Sequence, residues 1–282
     1  MLLVRSLPAA LLLAASMLAQ DADRIDKLLD QGFSDVAAGH FDPQIGREAL
    51  RLSTDAQDRR RMARSQLLIA TDNYYRTQLS EALERVHEAG PLSIAAGDIA
   101  LQVQIKLLDG NVLRRTGRAN EALTSLQECV ALNRQLPQAQ QLQFEGRIQR
   151  AIGTLYREMN DVVNADLAYR AAVKAAHESG DASAEAGSLL GLGATLKDRN
   201  RFQEAIPLHQ QALAVTERAG LARQRGEVLN SLADIYTSLG QLDSASATFQ
   251  TALDLARATD YQTLEVQITE RMGAVEMTRG HY

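Results

Sequence analysis

Residues 228–255 read VLNSLADIYTSLGQLDSASATFQTALDL, and two earlier segments fall into register with them: SLLGLGATLKDRNRFQEAIPLHQQALAV (188–215) and QRAIGTLYREMNDVVNADLAYRAAV (149–173). One alanine anchors each segment, at Ala165, Ala205 and Ala245, spaced by 40 and 40 residues. Earlier in the chain, Ala122 lies 43 residues before Ala165, and Ala82 another 40 before that. Seven residues after each anchor stands a second small residue (Ala89, Cys129, Ala172, Ala212, Ala252), and twelve before it a third (Ala70, Gly110, Gly153, Gly193, Ala233). Separations of three, four and seven place residues on one helical face. Each unit is therefore expected to be two amphipathic helices, with small residues where the axes approach closely. Larger apolar residues fill the space around them: Leu192 with Leu196, Leu232 with Tyr236, Ile152 with Tyr156, and across the turn Leu126, Tyr169 and Phe249. A single pair of this kind cannot bury its apolar face alone, so neighbouring pairs must stack.

The pattern resembles the tetratricopeptide repeat, whose mark is Leu-Gly and an aromatic in the first helix and Ala, aromatic, Ala in the second. It stands here as Leu192-Gly193 with Leu196, Ala205 and Ala212, and as Leu232-Ala233 with Tyr236, Ala245, Phe249 and Ala252. The turn of that family is matched by Gly240-Gln-Leu242 and Asn200-Arg-Phe202, and again by Gly39-His-Phe41 and Gly280-His-Tyr282. The usual period is about 34 residues, whereas this chain keeps about 40, similar to the variant found in exported bacterial proteins. The resemblance implies an all-α, right-handed α-solenoid of stacked helix-turn-helix repeats from about residue 24 to 282. On this reading, 24–56 is a degenerate first repeat. Residues 60–282 hold five helix pairs and a lone final helix, Tyr261 to Arg279, so the chain stops half-way through a repeat. That half repeat is expected to be either a natural cap or the front of a longer protein.

Breakers give an independent check, because proline inside a helix removes a hydrogen bond and clashes with the preceding turn. Asp42-Pro43 reads as a helix start, Gly90-Pro91 as a helix stop and Pro137 as a linker. Pro207 is expected in the first turn or so of its helix, and Gly180 and Gly220 as helix ends. One departure stands out. Asp109 occupies a position where the family carries leucine, which predicts a local slip of register or a poorly packed helix.

Composition agrees with this picture. The 282 residues are 45% hydrophobic and only 4% aromatic, with five prolines and no tryptophan. Thirty basic against 35 acidic side chains leave a net charge of −5, without the basic excess that phosphate contacts require. One cysteine, Cys129, can form no internal disulfide. At the N-terminus, Arg5 precedes an uncharged run from Leu7 to Leu18, too short to span a bilayer. Residues 1–19 are expected to be a secretory signal peptide, although a cut after Ala19 puts bulky Met17 at the −3 position; the alternative is an apolar first helix of the fold. The absence of any cysteine near the cut excludes a lipoprotein, so the expected location is periplasmic or secreted.

Catalytic motifs are lacking. The sequence has no P-loop, no His-Glu-x-x-His, no Cys-x-x-Cys and no Gly-x-Ser-x-Gly, and its five histidines are scattered. No cofactor, no metal and no enzymatic activity are expected. His209 takes a core position where other units carry Tyr169 or Phe249. Cys129 replaces a packing alanine. Asp72 and Glu81 are placed on the repeat surface, and Arg59-Arg60-Arg61 on a solvated face. The resemblance implies that first helices line a concave groove that contacts protein or peptide partners. Asn111, Arg114, Arg115, Arg147, Arg150, Arg157 and Lys197 take those positions, and Glu227, Asn230 and Asp234 take them in the next unit. Guanidinium groups suit carboxylates, so the expected partner is an acidic or C-terminal peptide; the alternative is a hydrated groove crossed by ion pairs between neighbouring units. The lysine–asparagine clamp of some family members is missing, because Leu107 stands one turn before Asn111. Function is expected to be a non-catalytic interaction scaffold, or alternatively the periplasmic input region of a membrane-bound sensor of the diguanylate cyclase or histidine kinase type.

Overall fold

The structure, a computed structural model, describes residues 9–280, with side chains from residue 19 onward. Arg5 and most of the predicted leader's start, and His281 and Tyr282 of the last turn, lie outside the described residues. Among the described residues thirteen helices follow one another: α1 (Ala9–Ala38), α2 (Pro43–Asp55), α3 (Arg59–Tyr75), α4 (Leu79–Ala95), α5 (Ile99–Arg115), α6 (Ala119–Asn133), α7 (Gln138–Glu158), α8 (Val162–Ser179), α9 (Ala182–Lys197), α10 (Phe202–Arg218), α11 (Ala222–Ser238), α12 (Leu242–Ala258) and α13 (Gln262–Arg279). No strand occurs among the described residues. The helices form two compact units, Met1–Gln135 and Leu136–Tyr282.

Local chemistry explains where helices start and stop. Asp42, Asp58, Asp98, Asp161 and Asp181 each accept a hydrogen bond from a backbone N–H in the first turn of the helix that follows. Such caps satisfy donors that have no partner within the helix. The short turns between helices are closed by a residue in the left-handed region, most often glycine or asparagine. Thr77, at φ 65°, is a β-branched residue held there. Arg115 braces that turn, donating from Nη1 to the Tyr74 carbonyl at 2.7 Å and from Nη2 to Thr77 Oγ1 at 3.3 Å.

The small-residue lattice is the core. The anchors Ala82, Ala122, Ala165, Ala205 and Ala245 are fully buried, as are Ala89, Cys129, Ala172, Ala212 and Ala252. A methyl group added at Gly110 would lie 2.7 Å from Leu126, at Gly153 2.9 Å from Tyr169, and at Gly193 2.5 Å from His209. Each glycine thus admits one large side chain of the following helix. Within each unit the odd-numbered helices pack on one another (α1 on α3, α3 on α5; α7 on α9, α9 on α11, α11 on α13). Even-numbered helices touch only odd-numbered ones, so the odd helices form the inner layer of each unit.

Several sequence expectations need correction. Gly90-Pro91 does not stop a helix: α4 runs on to Ala95, with Gly97 taking the left-handed turn at φ 66°. Pro91 is exposed, and its neighbours Leu92 and Ser93 are drawn into the packing, which outweighs one lost backbone bond. Pro207 sits in the second turn of α10, not its first, again on the exposed side. Asp109 causes neither a slip nor loose packing. It is buried between Leu108 and Gly110 in a regular α5, accepts from Ser125 Oγ at 2.7 Å, and has His87 Nε2 at 3.7 Å. Asp72 is not on the surface: it is 4% exposed and neither carboxylate oxygen accepts a hydrogen bond. Burial pushes its pKa above the usual carboxylate range, and Arg76 at 3.7 Å offsets this only in part.

Candidate functional site

In the unit from Leu136 onward the inner layer consists of α7, α9, α11 and α13, and four of the predicted groove residues lie on it. Arg147, Arg150 and Arg157 follow one another along α7, and Lys197 ends α9. Three of these four cations are already paired with the next repeat. Arg147 Nε donates to Asp181 at 2.7 Å, and Asp181 also caps α9 through its other oxygen. Arg157 Nη1 donates to Asp198 at 2.8 Å. Lys197 Nζ lies 3.4 Å from Asp234, which accepts at 2.6 Å from Arg271 of α13. The partners are 34, 41, 37 and 37 residues apart, about one repeat in each case. Partly exposed pairs of this kind contribute about 0–1 kcal/mol each. Their larger effect is to cancel charge along the face.

Arg150 is different. Its side chain forms no ion pair or hydrogen bond among the described residues, and its stem lies along Gly187 of α9, where an added methyl would meet Cδ at 3.2 Å. Glu227, one repeat pair further on, accepts from Tyr261 Oη at 2.9 Å, while Arg223 stacks 4.3 Å above the Tyr261 ring. Burial pushes the Glu227 pKa up, against the pull of the Tyr261 hydrogen bond and the positive fields of Arg150 and Arg223. Asn230 is buried on the same helix, with its Oδ1 accepting no hydrogen bond. Spacings of three and four put Glu227, Asn230 and Asp234 on one side of α11.

Asn111, Arg114 and Arg115 belong to the other unit. Asn111 turns its amide back onto its own helix, donating to the Leu107 carbonyl at 2.9 Å. Arg115 is occupied by the Tyr74 turn and also stacks 4.7 Å over the Tyr74 ring. Arg114 is half-buried at the end of α5. The arginine run that opens α3 is tied down as well. Arg61 grips Asp26 with Nε at 3.1 Å and Nη2 at 2.7 Å, and Arg60 donates to Asp98 at 2.7 Å. In the sequence this run reads as a solvated face. The signal was present in opposite charges about one repeat apart, which bring adjacent inner helices into register.

His209 is a core residue. Nδ1 lies 2.8 Å from the Ala205 carbonyl and Nε2 2.9 Å from Ser231 Oγ, and burial lowers its pKa. Among the described residues no group of three or more His, Cys, Asp or Glu side chains could hold a metal ion. No described helix is long and apolar enough to cross a membrane.

Stacked helix pairs, inner first helices and outer second helices define an α-solenoid of helix-turn-helix repeats. Residues 185–258 match the family model of the tetratricopeptide repeat, and that stretch carries repeats of this family. An 83-residue segment is 31% identical to Protein FLUORESCENT IN BLUE LIGHT, chloroplastic, of Arabidopsis thaliana. That segment is 29% of this chain and 26% of the relative, so the match spans about a quarter of the relative's length. Among solved structures, the Signal Transduction ATPase with a tetratricopeptide repeat sensor from Pyrococcus horikoshii aligns with a TM-score of 0.65 and 14% identity, over 83% of this chain and 35% of that one. A Rap protein complexed with Competence and Sporulation Factor aligns with a TM-score of 0.60 and 13% identity, over 89% and 74%. At these identities the likeness shows the fold.

Proposed function

We propose that the chain is a non-catalytic scaffold whose unit from Leu136 onward holds an acidic segment of a protein partner on its inner helix face. The observation that carries this is Arg150: a guanidinium on the inner layer with no partner of its own, beside neighbours whose charges are spent on one another. A carboxylate from a partner would take the two parallel hydrogen bonds that a guanidinium fork offers. The Rap protein that aligns with this chain was solved with a bound factor, which supports the fold's fitness for the task.

Arg147 and Arg157 are then structural, and the triple replacement of all three arginines would confuse stability with binding. Arg150→Ala alone separates them. Peptides selected from a display library against the full chain should be enriched in Asp, Glu or a free C-terminal carboxylate. Arg150→Ala should weaken the selected peptide at least about ten-fold, the loss of one charge-assisted pair, while Arg147→Ala weakens it far less. Peptides without acidic enrichment, or an unchanged affinity in Arg150→Ala, would refute the proposal.

Export belongs to the same proposal. Residues 1–19 would be removed to leave the scaffold in the periplasm or outside the cell. The cut would fall within α1, and Ile25, Leu29 and Val36, the buried apolar residues among its described side chains, all lie on the retained side. N-terminal sequencing of chain recovered from the periplasmic fraction tests it, and a retained Met1 would refute it. The sensor alternative is supported by the aligned repeat sensor of the Pyrococcus protein. Fold alone carries that alternative, and the scaffold is preferred.

A further inference from the structure

The second helices turn their outer sides to solvent, and one of them is chemically unlike the rest. Two residues before the anchor alanine, α4, α6, α10 and α12 carry Ser80, Asn120, Gln203 and Asp243; α8 carries Val163. Two residues after it, they carry Glu84, Thr124, Pro207 and Ala247; α8 carries Leu167. Six residues after it, they carry Glu88, Glu128, Gln211 and Thr251; α8 carries Ala171. Val163 is 70% exposed and Leu167 60%, and Met159, just before the helix, is 42% exposed. A spacing of four aligns Val163, Leu167 and Ala171 in one stripe along the helix. Hydrating such a stripe is unfavourable, and none of α4, α6, α10 and α12 carries more than one apolar residue, or any large one, at these three positions.

We propose that this stripe is a self-association surface, which joins two copies of the chain through antiparallel α8 helices. Size and charge both point to a second copy. Val163 and Ala171 are each four residues from Leu167. A two-fold axis at Leu167 therefore sets Val163 of each copy on Ala171 of the other, large against small, and Leu167 on Leu167. The small Ala171 lets the helix axes close in. Beside the stripe lie Asp166 and Arg170, paired with each other at 2.7 Å and with the arginine still largely exposed. In the antiparallel arrangement Asp166 of one copy stands within about 3 Å, along the axis, of Arg170 of the other. A parallel arrangement would instead place the Asp166 and Arg170 of the two copies on opposite flanks of the stripe, out of reach of one another. The interface is isologous and closes at two copies. Its small extent places it among weak, concentration-dependent contacts.

Sedimentation velocity of the full chain over a rising concentration series tests this. The weight-average mass should climb towards twice the monomer value. Leu167→Asp should weaken association at least about ten-fold, with helical circular dichroism and melting unchanged because the side chain is exposed. Geometry is read by disulfide trapping, since the native Cys129 is buried. Leu167→Cys should oxidise to a covalent dimer by itself. Val163→Cys should not, but should cross-link when mixed with Ala171→Cys. A monomer at every concentration, a dimer that survives Leu167→Asp, or self-cross-linking of Val163→Cys would each overturn the proposal.

Discussion

Replacing Gly193 by alanine should destabilise the protein, although alanine is the better helix former by about 1 kcal/mol. Gly193 lies in α9, directly under the His209 ring. The new methyl would sit 2.5 Å from Cε1 and 2.7 Å from Nδ1, where ordinary contact begins at 3.4 Å. The ring must retreat by most of an ångström, yet both its nitrogens are held, by the Ala205 carbonyl at 2.8 Å and Ser231 Oγ at 2.9 Å. Overpacking costs about 1–3 kcal/mol, and a strained or broken buried hydrogen bond adds about 1–3 kcal/mol. After the gain in helix propensity, a net loss of roughly 1–5 kcal/mol is expected. His209→Ala alone opens a cavity and leaves two polar partners unsatisfied, a loss of similar size. In the double variant the alanine methyl fills part of the space that the ring vacated. The two losses should therefore add to more than the double variant shows, by at least about 1 kcal/mol of coupling. Urea unfolding followed by circular dichroism measures all four corners of the cycle. The four should share one slope against denaturant, because stacked repeats can otherwise unfold piecemeal. A neutral or stabilising Gly193→Ala, or simple additivity with His209→Ala, would show that the ring and the glycine are not in contact as described.

The same histidine gives a pH dependence. Its folded pKa lies below the ordinary 6.5, so the unfolded chain binds more protons as pH falls through that value. Stability from His209 is complete above about 6.5 and declines below it. His209→Phe, the residue type of Phe249 in α12, should flatten the fall in urea midpoint between neutral and mildly acidic buffer. Asp72 has the opposite sense: its folded pKa is raised, so its contribution is present below about 3.9 and is lost as pH rises through the folded value. Asp72→Asn should therefore stabilise the protein at neutral pH, on the order of 1 kcal/mol, with the difference shrinking near pH 3; a destabilised variant would contradict the burial argument. Thr77→Gly relieves a left-handed β-branched residue and should gain about 1 kcal/mol in thermal unfolding, even though it loses the long contact from Arg115.

What the sequence disclosed depended on whether a residue's role was fixed within its own helix pair. The five anchor alanines and their partners seven residues on were legible because close approach of two adjacent helices requires small side chains at fixed spacing, and all ten are fully buried. His209 was placed in the core by the same register. Pro91 and Pro207 were misplaced because proline tolerance depends on which side of the helix faces water, a property of tertiary packing rather than of local order. Asp72 and Asp109 show a further limit. Asp72 reads as a surface residue and Asp109 as a misfit at a leucine position, yet both are buried in regular helices, because the first helices of an inner layer are covered on more than one side. Ser125, which donates to one of the two Asp109 carboxylate oxygens, lies 16 residues away on the following helix and carries no signature of that role.

The groove residues expose the deeper reason why function was harder to see than fold. Counting arginines at inner positions suggests a basic surface ready for an acidic guest. Once carboxylates one repeat away are brought alongside, Arg147, Arg157 and Lys197 are consumed in holding repeats together, and the same happens to Arg60 and Arg61 at the other unit's inner helices. In a stacked architecture a charge on an inner helix has a ready partner about 40 residues away, so net charge along a face is a poor guide to what that face recruits. The informative quantity is charge left over after neighbouring repeats have been paired. By that measure the inner face of α7 to α13 offers one guanidinium, Arg150, facing a carboxyl whose own ionisation is suppressed by burial at Glu227. Glu227→Gln removes whatever negative charge that buried carboxyl retains, so the fold should stay intact and the hold of Arg150 on an incoming carboxylate should not weaken; a weaker hold in Glu227→Gln would contradict this reading.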